Sequence, residues 1–129
     1  MSGKAKIEGL TNSWYGFAVF SAICSVLMNG IGILSVILAI GGLLFSWFIT
    51  FLIGRALIKK SSLTRFLLLV ISGIVTIVGT IGTGKAALSF VQHWQLSVLA
   101  YGAYTAVSTW MHARSFRTLM NGSVKAHFN

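Results

Sequence analysis

The chain has 129 residues, 56% hydrophobic and 9% charged, without a proline, whereas a soluble globular domain carries about 25% charged residues. Ten Lys and Arg stand against one acid, Glu8, for a net charge of +9, and Cys24 is the one cysteine. These counts exclude carboxylate pairs, Ser-His-Asp triads, acid-held Mg²⁺, disulfide frameworks and Cys-based zinc sites. What remains is the composition of an integral membrane protein, for which neither enzymatic activity nor a cofactor is expected.

The first uncharged stretch runs over 9–54. As one helix it would measure about 69 Å, roughly twice the ~30 Å hydrocarbon core, so it must fold back. Asn29-Gly30-Ile31-Gly32 is the natural turn, because Asn-Gly is a turn dipeptide and two glycines relax the backbone. The expectation is therefore a span at about 10–28 and a second at about 31–54. Lys4 and Lys6 followed by the apolar run 17–27 also have the outline of a signal peptide. The sequence around Leu27-Met28-Asn29 lacks the small residues of a cleavage site, so an uncleaved span is expected.

A basic, polar segment at 55–65 follows, then a third apolar run closed by Gly84-Lys85, expected to span at about 66–84. The fourth run is uncharged from Ala86 to Met111 but has Gln92, His93 and Gln95 near its start. The stretch 86–93 is expected to be a connector or interfacial turns, and 94–111 the span, with Trp94, Trp110 and Trp14 at headgroup levels. A basic tail, 112–129, completes the single membrane domain. The predicted fold is all-α: four transmembrane helices in a small bundle.

The charges test this division. Four spans put Lys4, Lys6, Arg55, Lys59, Lys60, Arg65, Arg114, Arg117 and Lys125 on one side and leave only Lys85 on the other. That bias implies both termini on the cytoplasmic or equivalent side. The basic face, with Arg55, Lys59, Lys60, Arg65, Arg114 and Arg117 as its candidate contacts, would attract anionic lipid headgroups. It could equally hold the backbone of nucleic acid beneath the membrane.

The helix faces carry a second signal. In the third run Ser72, Gly73, Thr76, Gly79, Thr80, Thr83 and Gly84 share one arc at 100° per residue, opposite a wall of Val and Ile, with Gly82 as the exception. The second run has Gly32, Ser35, Ala39, Gly42 and Ser46 at steps of three and four. Small faces allow close helix contact in lipid, so Gly42, Gly73, Thr76, Gly79, Thr80 and Thr83 are candidate packing positions. A Thr-lined pore is the other reading of the same arc. The fourth run has a polar stripe, Ser97, Tyr101, Tyr104, Ser108, His112 and Ser115, which should face protein.

Other motifs carry less. The stretch Gly79–Lys85 satisfies GxxxxGK, but Ala86 stands where a phosphate-binding loop needs Ser or Thr. His93, His112 and His127 are too dispersed for a metal site. Cys24 should be a small buried residue. Small multidrug transporters embed a glutamate in their first helix, whereas Glu8 here precedes the span. The leading expectation is a structural or assembly subunit of a larger membrane complex, bound to other subunits or to itself. An oligomeric, holin-like pore or channel is the alternative. A small transporter is third, since ion coupling generally uses an intramembrane acid.

Overall fold

Ser2 opens the first helix by accepting a hydrogen bond from the Ala5 amide at 3.2 Å. The computed structural model describes residues 2–128, almost all of them helical. Helix α1 is Gly3–Asn29, α2 Ile33–Ile58, α3 Ser62–His93, α4 Leu96–Met120 and α5 Gly122–Phe128. Helices α1, α2 and α3 are long and apolar enough to cross a membrane, the mark of a membrane protein. Helix α4 has a span's length but carries the polar stripe.

The first turn falls at the expected place. Helix α1 stops at Asn29, and Gly30 takes a φ of +89°, a conformation that suits glycine. The other boundaries depart from expectation in one direction. The expected loop 55–65 shrinks to three residues, because α2 runs on to Ile58 and α3 begins at Ser62. The expected connector 86–93 is the last part of α3, and the tail 112–129 continues α4 to Met120 before forming α5. The physical reason is common to all three. Lys, Arg, Gln and Ala are good helix formers, and no proline intervenes, so a charge can end a membrane span without ending a helix.

The short link after α2 closes tightly. The Ser61 amide donates to the Ala56 carbonyl at 3.0 Å and the Lys60 amide to the Leu57 carbonyl at 3.1 Å. This is a Schellman motif with Lys60, at φ +67°, in the left-handed position that glycine usually takes. Ser61 then caps α3 through the Thr64 amide.

Helix α1 packs against both α2 and α4, and α4 packs extensively against α3. Helix α2 meets α3 only sparsely, so the four long helices form an open arrangement in the order α2, α1, α4, α3. Both hairpins rest on the same device, a glycine against a threonine. A Cβ on Gly54 of α2 would stand 2.8 Å from Thr11 Cγ2 of α1, and a Cβ on Gly79 of α3 would collide with Thr109 of α4. Thr11 and Thr109 donate their hydroxyls to carbonyls one turn back, Ile7 and Thr105, at 2.9 and 2.8 Å. Each thus presents a compact, satisfied surface to the neighbouring backbone.

The α3–α4 contacts Gly73/Phe116, Gly79/Thr109, Gly82/Thr105 and Ala86/Gly102 fix the register of that pair. They place 66–84 beside roughly 104–122, not beside the expected span 94–111. The two expected spans are thus staggered by about ten residues, or about 15 Å. Charge alone had marked their ends, whereas the packing of α4 on α1 fixes their levels. Through Trp14/Ser115, Ser13/Arg114 and Lys6/Asn121, the α1 segment 10–28 lies level with roughly 99–117 of α4 and, by the same register, 71–89 of α3.

The most completely buried core sits at one end. Ile7, Leu57, Leu119 and Val124, from α1, α2, α4 and α5, are sealed together, and Leu68, Leu69 and Phe128 pack around them. Helix α5 folds back as a cap: His127 Nε2 donates to the Ile58 carbonyl at 3.1 Å, and Ser123 approaches Gly3 where no side chain would fit.

Candidate functional site: a cleft among the four long helices

The open arrangement leaves a cleft between α2 and α3, closed behind by α1 and α4. It has a volume of about 370 Å³ and a largely apolar wall that includes Phe17, Phe45, Ile49, Ile53 and Ile71. Into it project polar groups from every long helix, among them Ser46 and Thr50 of α2, Ser72 of α3, and Tyr104 and His112 of α4.

The back wall is fixed by one chain of hydrogen bonds. The Trp14 indole N–H donates to Ser115 Oγ at 2.8 Å, and Ser115 donates to the Met111 carbonyl at 3.0 Å. The His112 ring stands edge-on to Trp14 with centroids 4.9 Å apart. His112 Nδ1 lies 2.8 Å from the Ser108 carbonyl, which can only accept, so Nδ1 carries a proton. In the neutral ring Nε2 is then an acceptor. Ser72 is 3% exposed and its hydroxyl has no hydrogen-bond partner among the described residues, nor have those of Ser46, Thr50 and Tyr104. Among the described residues that are not exposed, no side-chain polar atom is both unpartnered and fully occluded, so the Ser72, Thr50 and Tyr104 hydroxyls keep some accessible surface, while Ser46 is exposed.

Trp14, expected at a headgroup level, is turned inward, because its indole N–H finds Ser115. Trp47 likewise bonds the Tyr15 carbonyl at 3.1 Å. The polar stripe of α4 lies on protein-facing positions from Ser97 to Ser115, except that Tyr101 is half exposed.

The candidate packing positions separate. Gly79 meets Thr109, and Gly73 lies against the Phe116 ring, where a Cβ would be 3.7 Å from Cε2. Thr76 and Thr83 are half-buried, while Thr80 is exposed. Gly42 has nothing within 4 Å of where its Cβ would stand and makes no packing contact within this chain. Gly82, the exception to the small arc, is half-buried with Thr105 3.5 Å from a Cβ position, so the contact face is rotated toward it. The Thr76, Thr80 and Thr83 hydroxyls all donate to carbonyls four residues back at 2.7, 2.7 and 2.8 Å.

The nine basic residues expected on one side lie at the end capped by α5, and Lys85 lies toward the other. They are not equivalent. Arg65 is committed: its Nε and Nη2 donate to the Leu119 carbonyl at 3.0 and 2.8 Å, and its guanidinium lies 5.7 Å from the Phe128 ring centroid. Arg114 donates to Ser13 Oγ at 2.7 Å and lies over Trp110. Arg55, Lys59, Lys60 and Arg117 are exposed. Lys6, Arg114 and Arg117 border a groove of about 900 Å³ between α1 and α4 whose apolar side includes Leu10 and Trp110.

Among the described residues no three potential metal ligands lie together. The GxxxxGK stretch is continuous helix within α3, without the loop that cradles phosphate. Sequence reasoning missed the cleft because its polar groups come from four helices; Ser46, Ser72 and the α4 stripe each stood out on their own helix without showing that they converge. No protein-family model, curated protein or solved structure matches this chain.

Proposed function

We propose that the chain is a four-span membrane protein with both termini on the cytoplasmic-equivalent side, acting as a non-enzymatic structural or assembly subunit of a larger membrane complex. The supporting observation is the isolation of α2. It packs closely on α1 alone and leaves Phe45, Phe48 and Phe51 exposed along a span-length helix, with Gly41 and Gly42 open beside them. Small and aromatic residues on an unpartnered face suit contact with another membrane helix, from a second copy or a different subunit. The basic end would face anionic headgroups, the groove of Lys6, Arg114 and Arg117 placing three cations beside apolar surface at that level.

The back-bonded Thr hydroxyls of α3 favour this reading over a pore, since they need no water to satisfy them. Purification in mild detergent, with light-scattering mass and identification of co-purifying proteins, tests it. A stoichiometric complex or self-association is expected. A strictly monomeric protein with no companion would refute it, and steady ion leakage from protein-bearing vesicles would promote the pore.

A further inference from the structure

We infer that the cleft between α2 and α3 binds the uncharged head of a neutral lipid bearing hydroxyl and carbonyl oxygens, as a diacylglycerol does, entering sideways from the bilayer. The inference rests on α1–α4 lying in a bilayer. By the helix registers, His112, Thr50 and Ser72 lie level with roughly residues 11–16 of α1, beside the Ser13–Arg114 bond and so at the basic edge of the expected span, just beneath the headgroups. Polar groups set in a largely apolar wall are costly unless something answers them.

The wall specifies what answers. No Lys, Arg, Asp or Glu lines the cleft, so neither a phosphate nor a cation would find its counter-charge there. The neutral His112 ring offers Nε2 as an acceptor, with Nδ1 already committed to the Ser108 carbonyl. The hydroxyls of Thr50, Ser72 and Tyr104 can each donate as well as accept. A head with one free hydroxyl and two ester carbonyls fits that set: its O–H donates to Nε2, and its carbonyls accept from the hydroxyls. A sterol has the hydroxyl without the carbonyls, and a phospholipid brings an unmatched charge.

The geometry also supplies a route. Helices α2 and α3 diverge from their three-residue link, and Phe45, Ile49 and Ile71 border the opening on its two sides. The acyl chains can therefore remain in the bilayer while the head occupies the cleft. The volume of about 370 Å³ lies in the range of small-molecule sites, roughly 300–1,000 Å³.

The test uses the full chain with Trp47→Phe, Trp94→Phe and Trp110→Phe, leaving Trp14, on the cleft wall, as the one fluorophore. Flotation of phosphatidylcholine vesicles first establishes insertion; a protein that fails to float refutes the membrane reading, and the inference with it, separately from any titration. Brominated dioleoylglycerol is then added, with brominated phosphatidylcholine of equal bromine content as the comparison. Saturable quenching by the glycerolipid is expected, reversed by unlabelled dioleoylglycerol. Thr50→Val, which keeps shape and loses the hydroxyl, should weaken it about threefold to tenfold. Ser72→Leu, which fills the space, should abolish it. Quenching that rises linearly with mole fraction, equals that of phosphatidylcholine, or is unchanged in both variants would overturn the inference and leave a cleft holding water or bulk acyl chains.

Discussion

Replacing Gly79 by alanine isolates the contact that holds α3 to α4. In the middle of a helix the exchange gains up to about 1 kcal/mol of intrinsic propensity. Gly84 gives that gain alone, since it is exposed on the same helix and nothing lies within 4 Å of its Cβ position. At Gly79 the new methyl would meet Thr109 Oγ1 in direct collision and Thr109 Cβ at 3.2 Å. The hydroxyl cannot turn away freely, because it donates to the Thr105 carbonyl at 2.8 Å. Overpacking of this kind costs about 1–3 kcal/mol, so Gly79→Ala should lie about 1–3 kcal/mol below Gly84→Ala. Unfolding by titration of a denaturing detergent into mild micelles, followed by circular dichroism, measures the difference. Adding Thr109→Ala should recover most of the loss, since it removes Oγ1, leaving the tight Cβ approach. If Gly79→Ala and Gly84→Ala were equally stable, α3 and α4 would not be in contact at this point, and the α3–α4 register would fall with it.

Lys60→Gly should raise the unfolding midpoint by the equivalent of about 1 kcal/mol, because the left-handed conformation burdens a residue with a Cβ; an unchanged midpoint would mean that the Schellman link is not formed. Arg65→Ala should destabilise the capped end by about 1.5–3 kcal/mol, the worth of charge-assisted bonds to the Leu119 carbonyl. Its signature is faster amide exchange in Gly122–Phe128 than in α1, and uniform protection would refute the capping role. Gln92→Cys and Ser123→Cys should react with an impermeant thiol reagent from opposite sides of the membrane. Labelling from the same side would exclude four spans.

Much of the helical pattern was legible because it follows from one-dimensional signals. The turn at Asn29-Gly30 was found since φ > 0 is a local demand that the sequence meets with glycine. The helix ends at Ile58, His93 and Met120 were not, because Arg55, Lys85 and Arg114 interrupt hydropathy without interrupting helical hydrogen bonding. The small arc of α3 was visible as composition, yet its orientation depended on Thr105 and Thr109 of another helix. Gly82 therefore joins the contact face, and Thr80 leaves it. The same dependence hid the cleft: Ser46, Ser72 and His112 are far apart in sequence, and nothing in any one helix says that α2 and α3 stay apart.

The two ends of the molecule make the lateral opening meaningful. At the basic end Ile7, Leu57, Leu119 and Val124 form a sealed plug, and Arg65 fastens α4 to α3 by satisfying a carbonyl at the C-terminal end of α4. Arg65 thus serves packing rather than the proposed anion-binding face, and Arg55, Lys59, Lys60 and Arg117 remain exposed, with Lys6 and Arg114 bordering the groove. A path along the bundle axis would have to pass this plug, and the Thr hydroxyls of α3 turn back onto their own helix instead of lining such a path. Access to the polar groups around His112 is therefore from the side, through the gap that α2 leaves by packing closely on α1 alone. The same gap makes α2 the helix most easily displaced by, or joined to, a neighbouring subunit. Assembly and lipid binding would then compete for one edge of the bundle or reinforce each other across it.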